Sequence, residues 1–257
     1  MTETFHDRHV PGRPLVLPNA WDVGSAALLV RNGFTAIGTT SLGVAVAQGR
    51  PDAVGATGPE TVALAARLTR LPCMLTVDIE AGFSDDPARV AALVEELSAL
   101  GVVGINIEDG RPGDELAPFA SQVSLITAVK AAAPGVFVNA RTDTHWLRPQ
   151  RPIAETVARA TAYRDAGADG IFVPGLVEDS DIATIVALGR PVNVLAGRPL
   201  RELAALGVAR VSTGSLLYRA ALGAALSTAL AVAADEPGPT GLPTYAEVAA
   251  LTGDGLG

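Results

Sequence analysis

Cysteine is almost missing from this 257-residue chain: Cys73 stands alone, so no internal disulfide can form. Aromatic residues reach only 4%, and with Ala, Val, Leu and Gly abundant the barrel core is expected to consist of small branched side chains rather than ring clusters. Charge is sparse too, at 18% of residues, and the 19 Lys and Arg are outnumbered by 27 Asp and Glu, giving a formal net charge of −8. So acidic a chain repels nucleic acid and anionic membranes, and neither is expected as a partner; an anionic substrate must meet locally placed cations. No basic start with an apolar stretch behind it marks a signal peptide, and no apolar run is expected to reach membrane-spanning length. A cytoplasmic, reduced protein is the expectation.

Hydrophobic residues make up 49%, enough to bury a large core, and the length fits one α/β barrel. Short runs rich in Val and Ile predict eight strands, at 15–18, 36–40, 73–79, 102–107, 136–140, 170–173, 192–195 and 210–213. Ala-rich segments at 61–71, 87–100 and 153–166 predict helices between them. Leu100-Gly101-Val102, Ala166-Gly167-Ala168 and Leu206-Gly207-Val208 form a weak repeat whose glycines can supply left-handed helix caps. Strict alternation with buried strands leaves a closed barrel or an open doubly wound sheet, and eight strands favour closure, a (β/α)₈ TIM barrel. Residues 1–234 are expected to form the barrel. The Pro- and Gly-rich stretch 235–243 predicts a linker, and 244–251 a short C-terminal helical tail.

Active sites of such barrels lie at the C-terminal strand ends. There the sequence reads Asp78-Ile79-Glu80, Asn106-Ile107-Glu108 and Asn139-Ala140-Arg141, and period-two alternation predicts that each pair faces one side. Three carboxylates at one mouth need a cation or protons between them, and hard oxygen donors with room for water suit Mg²⁺. Arg141 offers a planar fork for a substrate carboxylate. A metal-free salt-bridge cluster is the alternative, and it fits three acids and one base poorly.

The phrases Leu17-Pro18-Asn19-Ala20-Trp21-Asp22, Val77-Asp78-Ile79-Glu80-Ala81-Gly82, Gly104-Ile105-Asn106-Ile107-Glu108-Asp109 and Asn139-Ala140-Arg141-Thr142-Asp143 resemble, in the same order, those of the isocitrate lyase and phosphoenolpyruvate mutase superfamily. The resemblance implies that Asp78, Glu80 and Glu108 hold Mg²⁺, or Mn²⁺ in its place, partly through water, and that Arg141 grips the substrate carboxylate. Glu80 stands where many relatives have Asp. The stretch Thr39-Thr40-Ser41-Leu42-Gly43-Val44 resembles the substrate loop, which implies that backbone N–H groups around Ser41 and Leu42, beside Thr40, stabilise an enolate oxygen. Asp52 matches an acid near the metal.

Isocitrate and methylisocitrate lyases of the superfamily carry Lys-Lys-Cys-Gly-His on the loop after the fourth strand. Here the loop reads Gly110-Arg111-Pro112-Gly113-Asp114-Glu115-Leu116-Ala117-Pro118, and Cys73, at the far end of the barrel, cannot replace the missing thiol. Phosphonopyruvate mutases and hydrolases use an Asn on that loop, and none occurs between Gly110 and Val138. The expected function is therefore a Mg²⁺-dependent lyase acting on a C–C bond next to a 2-oxo acid through an enolate, in the manner of an oxaloacetate decarboxylase. Action on a P–C bond and a non-catalytic binding protein are the alternatives. The resemblance also implies a homo-oligomer, dimer or tetramer, with the run 216–234 exchanged between subunits; a helix buried on its own barrel would read the same.

Other residues carry weaker signals. His145 and Trp146 follow the fifth strand, and the histidine is expected only to pack or meet solvent. His6 and His9 are expected to do nothing chemical. Thr213-Gly214-Ser215 predicts a tight turn rather than a phosphate site, and Asn193, Pro174 and Gly175 are expected to border the pocket.

Overall fold

The structure, a computed structural model, describes residues 3–148 and 152–252. Its strands are β1 (Leu15–Leu17), β2 (Asn19–Ala20), β3 (Ala36–Thr39), β4 (Met74–Asp78), β5 (Gly104–Glu108), β6 (Gly110–Arg111), β7 (Glu115–Leu116), β8 (Phe137–Arg141), β9 (Gly170–Phe172), β10 (Val192–Leu195) and β11 (Arg210–Ser212). Nine of them form one parallel sheet in the order β1-β11-β10-β9-β8-β5-β4-β3-β2, while β6 and β7 make a small antiparallel hairpin. All eight predicted runs are strands. The first is split at Pro18, which has no N–H to give to a ladder; β1 pairs with β11 on one side and β2 with β3 on the other, so this divided stave joins the two edges of a nearly closed barrel.

Seven helices, Val23–Arg31, Gly58–Leu68, Pro87–Ala99, Phe119–Ala132, Ile153–Asp165, Asp179–Val186 and Leu200–Ala205, follow strands around the sheet. Local chemistry starts them: Asp22 and Ser25 form a reciprocal capping box, and Asp86 caps Ala88 N ahead of Pro87. Gly101, Gly167 and Gly207 take the positive φ values predicted for the repeated phrase, 100°, 103° and 85°.

Side chains alternate along the strands. Leu75, Val77, Ile105, Ile107, Val138 and Ala140 join the large apolar cluster shared with the helices, each full burial of a Leu or Ile contributing ~1.5–3 kcal/mol. Their neighbours Thr76, Asp78, Asn106, Glu108, Asn139 and Arg141 belong to the opposite face. The expected core of small branched side chains is the apolar cluster, but it lies outside the staves rather than inside them, where Asn106, Asn139, Asn193, Arg210 and Ser212 are buried and linked by hydrogen bonds. Rings gather at the far end, packed with Leu17 and Ala36. His9 stacks on Phe137 at 4.1 Å between centroids, and Phe5 meets both edge-on. His9 therefore has a structural role; its Nδ1–H donates to the Phe5 carbonyl at 2.8 Å.

The helix after β11, Leu216–Ala233, leaves the outer ring. Tyr218, its one buried residue, packs on Trp21, whereas Leu222, Leu226, Leu230 and Val232 are exposed. It is also long and apolar enough to cross a membrane by length and composition, correcting the expectation that no run is; Arg219 is its one charged residue. Beyond the linker, Thr244 and Glu247 form a capping box for the helix Tyr245–Ala249, and Leu251 is buried in the main apolar cluster.

Candidate active site

At the C-terminal strand ends lies a cavity of about 230 Å³, smaller than the ~300–1,000 Å³ of sites for drug-sized ligands. Of the expected site residues, Thr40, Ser41, Leu42, Asp52, Asp78, Glu108 and Arg141 line it together. Glu80 does not. β4 ends at Asp78 and Glu80 takes a left-handed φ of 50°, which breaks the period-two alternation used to predict its direction. Its carboxylate is buried and accepts from Thr57 Oγ1 at 2.8 Å and Gly55 N at 2.9 Å, tying down the loop that carries Asp52.

Arg141 is held on both sides. Its Nη1 lies 2.7 Å from Glu108 Oε2, its Nε donates to Asp143 Oδ1 at 2.6 Å, and its Nη2 donates to Asp143 Oδ2 at 3.1 Å. Asp143 is fixed in turn, since its backbone N–H donates to Asp109 Oδ1 at 2.8 Å, and Asp109 also accepts from Tyr163 and Arg159. Gly110 is required beside it, because a Cβ there would collide with the Asp143 carboxylate.

Electrostatics follow from depth and crowding. Burial pushes the Glu108 carboxyl up to about 8 against the pull of Arg141, and the Asp78 carboxyl up to about 6 in the same way, with nearby acids adding to both. Burial alone would lower the Arg141 pKa, but Glu108, Asp143 and Asp78 raise it, so its guanidinium stays charged.

Among the described residues no three His, Cys, Asp or Glu side chains stand gathered as a ready ligand set. The cavity nonetheless fits Mg²⁺. Four carboxylates, Asp52, Asp78, Glu108 and Asp143, line it against two guanidinium groups, Arg111 and Arg141, and Asp52 Oδ1 is buried with no hydrogen-bond partner among the described residues. Mg²⁺ takes one or two carboxylates and keeps several waters, so a closed cage is not needed.

The helix Ser41–Ala47 begins at the cavity without a side-chain cap, so the N–H groups of Ser41 and Leu42 keep no partner within the helix. Trp146 and Pro174 line the cavity, as do Gly214 and Ser215, whose turn is tied to Asn19 by Gly214 N at 2.9 Å. His145 turns away and is buried, its Nδ1 3.2 Å from Thr156 Oγ1; burial lowers its pKa. Asn193 is buried and accepts from Ser212 Oγ rather than bordering the cavity. Cys73, just before β4, is half-buried, and burial pushes its thiol up to about 11.

Asn106 lines the cavity together with Glu108, as their period-two pairing predicted, whereas sequence reasoning missed Arg111 and Phe172, which also line it. Within the loop at 110–118, Arg111 is the one cation, and its position follows from the turn rather than from a motif. The β6–β7 hairpin, turning at Gly113 and Asp114 with positive φ, brings it over the mouth, where its Nη1 donates to the carbonyls of Gly110 and Glu108.

A parallel barrel thus carries acids and a clamped arginine at its C-terminal mouth, the end where enzymes of this architecture place their active sites. The chain belongs to the phosphoenolpyruvate phosphomutase family, whose model matches residues 5–233, and so to the isocitrate lyase and phosphoenolpyruvate mutase superfamily of carbon–carbon lyases and mutases. An uncharacterized protein of Mycobacterium tuberculosis is 48% identical over 250 residues, 96% of this chain and 95% of that one. The 2-methylisocitrate lyase of Bacillus subtilis is 33% identical over 177 residues, covering 65% of this chain and 57% of the lyase. A solved structure from Burkholderia cenocepacia, described as a candidate lyase or mutase, superposes with a TM-score of 0.88 at 35% identity, covering 97% of this chain and 95% of that one.

Proposed function

We propose that this chain is a Mg²⁺-dependent lyase that breaks a C–C bond adjacent to a 2-oxo acid, with oxaloacetate as the simplest substrate. The observation that carries the reading is the meeting of Asp52, Asp78 and Glu108 with Arg141 around one small cavity. Asp78 and Glu108 would hold the ion with Asp52, while Glu80 acts at one remove by fixing the Asp52 loop. Bound there, Mg²⁺ would supply Lewis-acid stabilisation of negative charge on the substrate's oxygens.

Arg141 pairs with a substrate carboxylate, and Arg111 meets the second one. The bond to the departing carboxylate breaks, CO₂ leaves, and the electron pair moves onto the 2-oxo oxygen, where the N–H groups of Ser41 and Leu42, beside Thr40, act as donors. Water then protonates the enolate carbon, giving pyruvate. The hairpin after β5 supports this reading, since it offers neither the thiol nor the amide used by other branches and decarboxylation needs no protein acid on the leaving group. Purified protein with Mg²⁺ and oxaloacetate or 2-alkylmalates, assayed for the 2-oxo acid released, tests it; turnover no faster than Mg²⁺ alone would sink it.

A barrel spanning 1–234 with an appended tail at 235–257 remains our division of the chain, and a cytoplasmic enzyme our expectation for its location, supported by the lone cysteine. The exposed apolar side of Leu216–Ala233 supports a homo-oligomer in which this helix is covered by another subunit.

A further inference from the structure

Asn106 lies on β5, two residues before Glu108, and pairs in register with Asp78 of β4, which places its side chain at the cavity floor beside the two carboxylates. A carboxamide has one accepting end and one donating end, so its surroundings decide which of them faces a ligand. Below the cavity, Asn106 Oδ1 accepts from Asn139 Nδ2 at 2.9 Å and from Arg210 Nη2 at 3.3 Å.

Arg210 makes that orientation obligatory. Its guanidinium is wholly buried, spends Nε on Ser212 Oγ at 2.9 Å, and has N–H groups only, with nothing that can accept. Rotating the Asn106 amide by half a turn would set its own N–H₂ against donors of Arg210 and Asn139, stranding buried donors. Nδ2 is therefore the end left for the cavity. It has no acceptor among the described residues, and it is not among the polar atoms sealed from solvent.

We propose that Asn106 is a ligand-binding residue that donates a hydrogen bond from Nδ2 to an oxygen of the bound small acid, and that Arg210 and Asn139 are positioning residues that hold this donor upward. The inference deepens the reading of the cavity as a 2-oxo acid site and rests on it. A neutral donor beside Asp78 and Glu108 gives an oxygen of an anionic ligand a foothold among the carboxylates, supplementing the Arg141 guanidinium that pairs with Glu108. Ligands that present an oxygen at the floor are thereby selected over those that present a methyl or methylene group, since the latter would leave the amide unpaired.

Calorimetric titration of oxalate into the full chain with saturating Mg²⁺ tests this. Asn106→Ala removes the donor without adding charge and is expected to weaken oxalate about tenfold, the equivalent of one hydrogen bond. Asn106→Asp adds repulsion and is expected to weaken it further while keeping the melting temperature, because Arg210 gains a charged partner. Arg210→Met is expected to weaken oxalate in the native background but to add nothing in the Asn106→Ala background, a coupling that a purely structural arginine would not show. If Arg210→Met does not fold, the two Asn106 variants decide alone. Oxalate binding by the native chain that survives Asn106→Ala unchanged overturns this inference and leaves the reading of the cavity standing. Absence of oxalate binding by the native chain overturns both.

Discussion

The Thr57 hydroxyl donates to Glu80 Oε1 across 2.8 Å of buried space, joining the loop after the helix Ser41–Ala47 to the end of β4. Because the acceptor is a carboxylate, Thr57→Val is expected to cost about 1.5–3 kcal/mol. For a domain of this size that lowers the melting temperature by about 3–12 °C. The same change loosens the loop bearing Asp52, so the thermal shift produced by Mg²⁺ should shrink as well. Paired melts with and without the ion check both effects.

Asp78→Asn should move two observables in opposite directions. Burial raises this carboxyl to about 6, so its ionised form at pH 7 carries a folding cost that an amide relieves. Metal-free stability is expected to rise by roughly 1–3 kcal/mol, given about 1.4 kcal/mol per unit of raised pKa. Oxalate binding that depends on Mg²⁺ is expected to vanish. Denaturant melts and calorimetry separate the two, and a variant that loses stability while retaining metal-dependent binding would contradict the assignment.

Arg111→Ala tests the second cation at the mouth. Its guanidinium reaches the cavity from the β6–β7 hairpin and does not anchor the barrel core, so folding should be untouched. Affinity for oxaloacetate should fall at least about tenfold while that for pyruvate changes little, a difference of about 1.4 kcal/mol in favour of the dicarboxylate.

His9 sets a dependence of stability on pH. Burial, with the charge of Arg210 beside it, pushes its pKa down to about 3, whereas an unfolded histidine titrates near 6.5. Between those values the unfolded chain binds one more proton than the folded chain, so stability rises with pH across the window and is lost on acidification. Each unit below about 6 should remove about 1.4 kcal/mol. His9→Gln should lower the melting temperature at neutral pH, since stacking is lost, yet flatten its decline between pH 6 and 4.5.

Leu226 and Leu230 stand one turn apart on the exposed side of Leu216–Ala233. Leu226→Glu with Leu230→Glu should leave the barrel's circular dichroism intact and reduce the mass seen by light scattering to that of one chain. An unchanged mass would show that this helix does not join subunits.

The eight strands could be read from sequence because each is a short apolar run closed by polar or glycine residues, and a stave such as Ile105 and Ile107 carries its pattern locally. The alternation that predicted inward charged side chains held for Asp78, Glu108 and Arg141, each the last residue of its strand. It failed for Glu80, where a single left-handed residue turned the chain, an event that the pattern Asp78-Ile79-Glu80 does not encode. The plug of Phe5, His9 and Phe137 joins segments more than a hundred residues apart, and scarcity of aromatics said nothing about where those few would gather. Arg111 was silent as a single letter, since only a hairpin turn brings it to the mouth; Asn106 was expected inward beside Glu108, but which end of its amide faces the cavity is set by the donors beneath it.

The ring stack at the base of the barrel has a bearing on traffic. With that end corked among the described residues, the acids lie open at the opposite mouth, beside the exposed indole of Trp146. In the proposed reaction, arriving substrate, departing gas and the remaining product would share this passage in turn, and a bulky molecule lodged against the indole would trap whatever lies beneath it as effectively as it bars the next arrival.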